Sequence, residues 1–146
     1  MGESNVINKI FISAHQFGDV SNDSLKLLEA EGIIYHINPY NRKITTPELI
    51  SHIADCDALL AGPEVIDAKV FDIASNLKLI SRAGAGFDGI DFEQAKKYGI
   101  RVTATPDAPT LAVAELCIAL MLDCLRHITT TDHQLRLGHW QRRMGG

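Results

Sequence analysis

The sequence predicts an α/β domain on a doubly wound parallel sheet, followed by a long apolar helix. Three observations predict it. Short apolar runs alternate with amphipathic stretches, as they do when strands and crossover helices take turns. Glycine, proline and helix-capping residues separate these runs at short intervals. From Thr110 onward the pattern changes to one helical stretch that is apolar almost all round.

The elements follow in order. Ile10 to Ile12 reads as the first strand. Ser21 or Asn22 caps a helix that runs through Glu31 and ends at Gly32. Ile33 to Ile37 is the second strand, closed by Asn38 and Pro39. Thr46, Pro47 and Glu48 mark a helix start, with Thr46 as cap, and that helix runs to about Ala54. Ala58 to Ala61 is a third strand, too apolar for a sheet edge. Asp67 to Ala74 is a short helix and Leu77 to Ser81 a fourth strand. Asp91 to Tyr98 is a helix stopped by Gly99, and Arg101 to Thr103 a short fifth strand. Right-handed crossovers between such strands predict the flavodoxin-like order 2-1-3-4-5. The domain is expected to span residues 1–108, with 109–146 as a helical arm. Within the arm, a second helical stretch covers Thr131 to Leu137 and ends at Gly138.

Composition narrows the class. The chain has 146 residues, 46% apolar and 22% charged, with a net charge of −4. That balance suits a soluble globular protein and, being mildly acidic, disfavours nucleic acid or a membrane surface as partner. Arg126, Arg136, Arg142 and Arg143 crowd the end and read as a solvated helical face. The odd count of cysteines, Cys56, Cys117 and Cys124, argues against a disulfide scaffold and for a cytoplasmic, reducing setting. Cys117 and Cys124, seven apart, read as small buried groups on one helix face. Met1 to Asn8 is too polar for a signal peptide, and the run Leu116 to Leu122 is too short to cross a bilayer. His127, His133 and His139 turn about 240° per step on a helix, so no metal site is expected from them. His15 reads as a polar loop residue.

The informative stretch runs from Leu79 to Asp91 and holds the pattern G-x-G-x-x-G at Gly84, Gly86 and Gly89. A strand precedes it, a helix follows, and Asp107 lies about 20 residues on, as a dinucleotide fingerprint asks. Electrostatics opposes that reading. A pyrophosphate needs a positive helix N-terminus, and here Asp88, Asp91 and Glu93 occupy that end. A plain structural turn is a second reading. The third is a small anion: glycines at a strand's carboxyl end let backbone amides approach a ligand, and those of Ala85 and Gly86 suffice for one carboxylate.

Several segments in the right order now point one way: Leu77 to Asp91, Tyr98 to Val102, Thr105 with Pro106, Val113 to Glu115, Leu120 to Leu122 with Arg126, and Gly138 to Arg142. Together they resemble the D-isomer-specific 2-hydroxyacid dehydrogenases, most of all the phosphoglycerate dehydrogenase branch. The likeness is strong from Leu77 onward and faint before it. It implies hydride transfer between a nicotinamide and C2 of a D-2-hydroxy or 2-oxo acid, with NAD, or NADP, as cofactor. It implies a substrate domain first, then a helix that crosses to a nucleotide domain and joins a homodimer, here residues 110–127. By the same resemblance the substrate would meet Arg82, Gly84, Ala85 and Gly86. Arg82 would serve a second anionic group, against an ordinary strand-end ion pair. Ala85 and Val113 would touch the cofactor's nicotinamide side, and Glu115 needs no function. The family's catalytic arginine, glutamate and histidine, and its nucleotide fingerprint, would follow Gly146, so the chain alone is expected to be inactive. A stand-alone flavodoxin-like binding or regulatory module is the alternative. The sequence departs from the family at Ala104 and Pro109, where many members have asparagine. It also departs at Ala61 to Glu64, which lack the arginine often used for phosphate.

Overall fold

A computed structural model of the chain describes residues 6–142; Arg143 of the basic cluster and the first five residues of the polar start lie outside the described residues. The chain divides into two compact units between Asp107 and Ala108. The first holds five strands and four helices: β1 (Lys9–Ile12), α1 (Asp23–Ala30), β2 (Ile34–Ile37), α2 (Thr46–Ile53), β3 (Ala58–Ala61), α3 (Ala68–Ile73), β4 (Leu79–Arg82), α4 (Phe92–Lys97) and β5 (Arg101–Ala104). All four strand pairings are parallel, and the order is β2-β1-β3-β4-β5. The apolar run Ala58–Ala61 is therefore interior, between β1 and β4, as its composition requires.

The core is continuous. Phe11, Leu59 and Ile80 from the central strands pack with Leu49 and Ile53 of α2, Val70 and Phe71 of α3 and Ala95 of α4, all buried. Cys56 lies in the same cluster, where burial first and the neighbouring Asp55 carboxylate second push its thiol up to about 11. Among the described residues, every buried one lies in this first unit.

In the first unit one helix start differs from expectation, and another decides between two candidates. The cap of α2 is Thr45, not Thr46. Thr45 has the extended backbone of a cap, and its amide and hydroxyl both donate to Glu48 Oε2, at 2.9 and 2.8 Å. Glu48 stands three residues after Thr45, which is the spacing a reciprocal cap needs. Ahead of α1, Asn22 makes no side-chain cap; the Ser21 hydroxyl accepts the Asp23 amide at 3.1 Å instead.

The second unit contains α5 (Thr110–Arg126) and α6 (Ile128–Arg136). His127 adopts a left-handed conformation, φ 54°, and breaks the helix there. Asp123 then receives the Thr129 amide and hydroxyl, both at 2.7 Å, so α6 begins at Ile128 rather than Thr131. No residue of α5 or α6 is buried. Cys117 and Cys124 are accordingly exposed, not buried as their spacing suggested. No helix among the described residues is long and apolar enough to cross a membrane.

Candidate substrate-binding site

The turn from Ala83 to Ile90 leaves the carboxyl end of β4, beside that of β3. Its entry is tied to both neighbours. The Ala83 amide donates to Ala61 at the end of β3 at 2.9 Å, and the Gly84 amide donates to the Thr105 hydroxyl, also at 2.9 Å. Its exit is tied to the loop after β3, where the Ile66 amide donates to Gly89 at 2.8 Å and the Asp91 amide to Ile66 at 3.1 Å. Between these anchors, the amides from Ala85 to Gly89 have no acceptor among the described residues, and those of Ala85 and Gly86 come first after the strand. Both residues are exposed.

The three glycines do different jobs. Gly84 has φ +133°, which L side chains rarely adopt. Gly89 makes a close approach: a Cβ there would lie 2.4 Å from the Glu64 carbonyl oxygen. At Gly86 a Cβ would meet nothing nearer than Asp88 Oδ2, at 3.9 Å. So Gly84 serves backbone conformation and Gly89 serves packing, while Gly86 leaves its amide uncovered.

Among the described residues Arg82 forms no ion pair, so the strand-end ion pair weighed from the sequence is not seen. Its Nε donates to the Gly86 carbonyl at 3.1 Å, and its Nη1 to the carbonyls of Ala61, at 3.4 Å, and Ala83. A guanidinium has five donors in a rigid fork. Here part of that fork is spent tying the turn to β3, and its charge stays beside the turn.

A cleft of about 180 Å³ opens next to Gly86, lined by Pro63, Glu64, Arg82, Gly86, Asp88, Gly89 and Ile90. Glu64 drew attention in the sequence only as part of a segment without arginine. It is 2% exposed. Its Oε1 accepts from the Ser13 hydroxyl and from the Gly62 amide, the latter at 3.1 Å. Its Oε2 is buried with no hydrogen-bond partner among the described residues. An acid three residues past the end of an apolar central strand was the available signal.

The turn does not fit a dinucleotide's pyrophosphate. The helix that follows, α4, has only six residues. Its N-terminus is already capped by a carboxylate: Asp91 Oδ1 accepts the Gln94 amide at 3.0 Å. Asp88 adds a second carboxylate next to Gly86. Phosphate at this end would meet like charge instead of unpaired amides. Val113 stands on α5 in the second unit and is half-exposed, as Ala85 is exposed in the first.

A doubly wound parallel domain with ligand-accessible amides at its strand carboxyl ends is a small-ligand α/β domain. Comparison with known proteins makes the class definite. Residues 11–139 match the model of the D-isomer-specific 2-hydroxyacid dehydrogenase catalytic domain. The chain belongs to that family. It is 34% identical over 138 residues to a glyoxylate reductase of Pyrococcus horikoshii, covering 92% of this chain and 39% of the relative. It is 38% identical over 123 residues to a D-3-phosphoglycerate dehydrogenase of Methanocaldococcus jannaschii, covering 83% of this chain and 22% of the relative. Among solved structures it is similar to an NAD-dependent formate dehydrogenase of Staphylococcus aureus in complex with NAD, with TM-score 0.74 and 25% identity over 91% of this chain and 43% of that one. The chain thus spans well under half the length of these relatives.

Proposed function

We propose that this chain supplies the substrate side of an NAD-dependent D-2-hydroxyacid dehydrogenase, and that the amides of Ala85 and Gly86 clamp the substrate carboxylate. One observation carries the reading: directly after the engaged amides of Ala83 and Gly84, the run Ala85 to Gly89 has no amide acceptor among the described residues, and Ala85 and Gly86 open that run at the strand's carboxyl end. Two N–H groups converging on one oxygen or one carboxylate make a charge-assisted site. Arg82 supports the clamp with its charge and by fixing the Gly86 carbonyl. Ala85 and Val113 are proposed to face the nicotinamide, with NADP as an alternative cofactor.

The described cleft has no histidine in its lining, so it offers no neutral-pH proton carrier for the C2 oxygen. Proton transfer and hydride donation are therefore assigned to groups outside it, and the 146-residue chain is proposed to bind substrate without turning it over.

Titrating the ¹⁵N-labelled chain with glyoxylate tests the clamp. Amide resonances of Ala85 and Gly86 should shift first and saturate, while NADH with any 2-oxo acid gives no turnover. Turnover by this chain alone would refute the division of labour. Shifts at Gly84 and Gly86 caused by NAD but not by glyoxylate would restore the pyrophosphate reading.

A further inference from the structure

Resting on the carboxylate-clamp reading, we infer that the cleft beside Gly86 selects unphosphorylated acids and that Asp88 and Glu64 determine this selectivity. A substrate held by the Ala85 and Gly86 amides has the cleft as its neighbouring volume, because Gly86 belongs to both. The cleft's ionisable groups are one guanidinium and two carboxyls, those of Arg82, Asp88 and Glu64. The guanidinium is partly committed already: its Nε and Nη1 donate to three main-chain carbonyls that hold the turn. Asp88 stands next to the clamp itself, its Oδ2 3.9 Å from where a side chain at Gly86 would begin.

The remaining polar capacity is that of an acceptor. Glu64 Oε2 is buried and has no donor among the described residues. Buried polar atoms in native proteins nearly always find a partner, so an orphan acceptor in the wall of a cleft fits a donor arriving from outside. A hydroxyl on a three-carbon acid's distal carbon supplies one, and a water filling the cleft beside the shorter glyoxylate supplies another. A phosphate dianion supplies none. It brings about −1.5 to −2 of additional charge at neutral pH. Two carboxyls set against one partly engaged guanidinium do not neutralise that charge, and desolvated like charges are strongly disfavoured. The fit is to glyoxylate or a three-carbon acid with a free hydroxyl.

A matched pair tests this in the 146-residue chain, because D-glycerate and 3-phospho-D-glycerate differ only in the phosphate. Both are titrated against the labelled chain at fixed ionic strength, with glyoxylate as reference. D-glycerate should bind roughly tenfold or more tightly than its phosphorylated form. Asp88→Asn, at an exposed position, should narrow that ratio severalfold while still binding glyoxylate. Glu64→Gln, with cooperative unfolding checked first, should narrow it further. Equal or tighter binding of 3-phospho-D-glycerate, or a ratio unmoved by Asp88→Asn, overturns the selectivity and leaves the clamp standing. Failure of all three acids to move Ala85 and Gly86 overturns the clamp and the selectivity together.

Discussion

At the scale of single residues, the glycine turn separates into positions that look alike in a pattern and differ in physics. A methyl group at Gly89 would collide with a main-chain oxygen, which cannot swing away as a side chain does. Gly89→Ala should therefore cost about 1–3 kcal/mol, the range for overpacking a tight contact. At Gly86 neither φ nor space opposes a methyl group. Gly86→Ala should change stability by less than about 0.5 kcal/mol, as at an ordinary surface site. Urea unfolding of the two variants side by side checks the contrast. Similar losses in both would mean that the turn's stability does not reside in the Glu64–Gly89 contact.

At the scale of elements, α2 shows how one acid can hold a helix start. The Arg42 guanidinium first, then the Thr45 amide and hydroxyl, hold the Glu48 carboxyl down to about 2 from its usual 4.5. Arg42 reaches it through both terminal nitrogens, at 3.0 and 2.6 Å. A carboxyl held lower in the folded chain than in the unfolded one stabilises the fold once it is ionised in both states. That contribution is complete above about pH 4.5 and fades as the pH falls toward 2. Glu48→Gln should flatten the acid limb of the stability curve in that window and leave its shape near neutrality unchanged. Circular dichroism during acid titration reads this directly. An unchanged acid limb would show that solvent screens the cluster fully. The same geometry explains why Thr45, not Thr46, caps the helix: only Thr45 is three residues ahead of Glu48.

At the scale of the molecule, burial is concentrated in one unit. Among the described residues, the buried hydrophobic ones lie between Phe11 and Ile100. The second unit exposes Leu111, Val113, Leu116, Ile118, Leu120, Met121, Leu122 and Leu125 along a single helix. A chain ending at Asp107 should then unfold with nearly the same midpoint as the 146-residue chain. The longer chain should self-associate through α5, as a homodimer or larger, because exposed apolar surface of this extent marks an interface. Light scattering on both, at matched concentrations, reads the difference. A monomeric 146-residue chain at high concentration would count against association through α5.

What the sequence alone determined is local. Short runs of three to five residues, bounded by glycine, proline and caps, placed every strand within a few residues, and their alternation with helices led to the parallel order. Motifs in series led to the family. These signals survive because strand, helix and cap depend on neighbours within four residues in the chain. Tertiary structure decided the rest, since its causes are distant in sequence. Glu64 is buried because Ser13, 51 residues away, meets its carboxyl. Arg82 makes no ion pair among the described residues, because carbonyls from two different segments take its donors. Gly89 is constrained by Glu64, and no periodicity records that contact. Pairings of this kind arise only when the sheet brings the carboxyl ends of β1, β3 and β4 together.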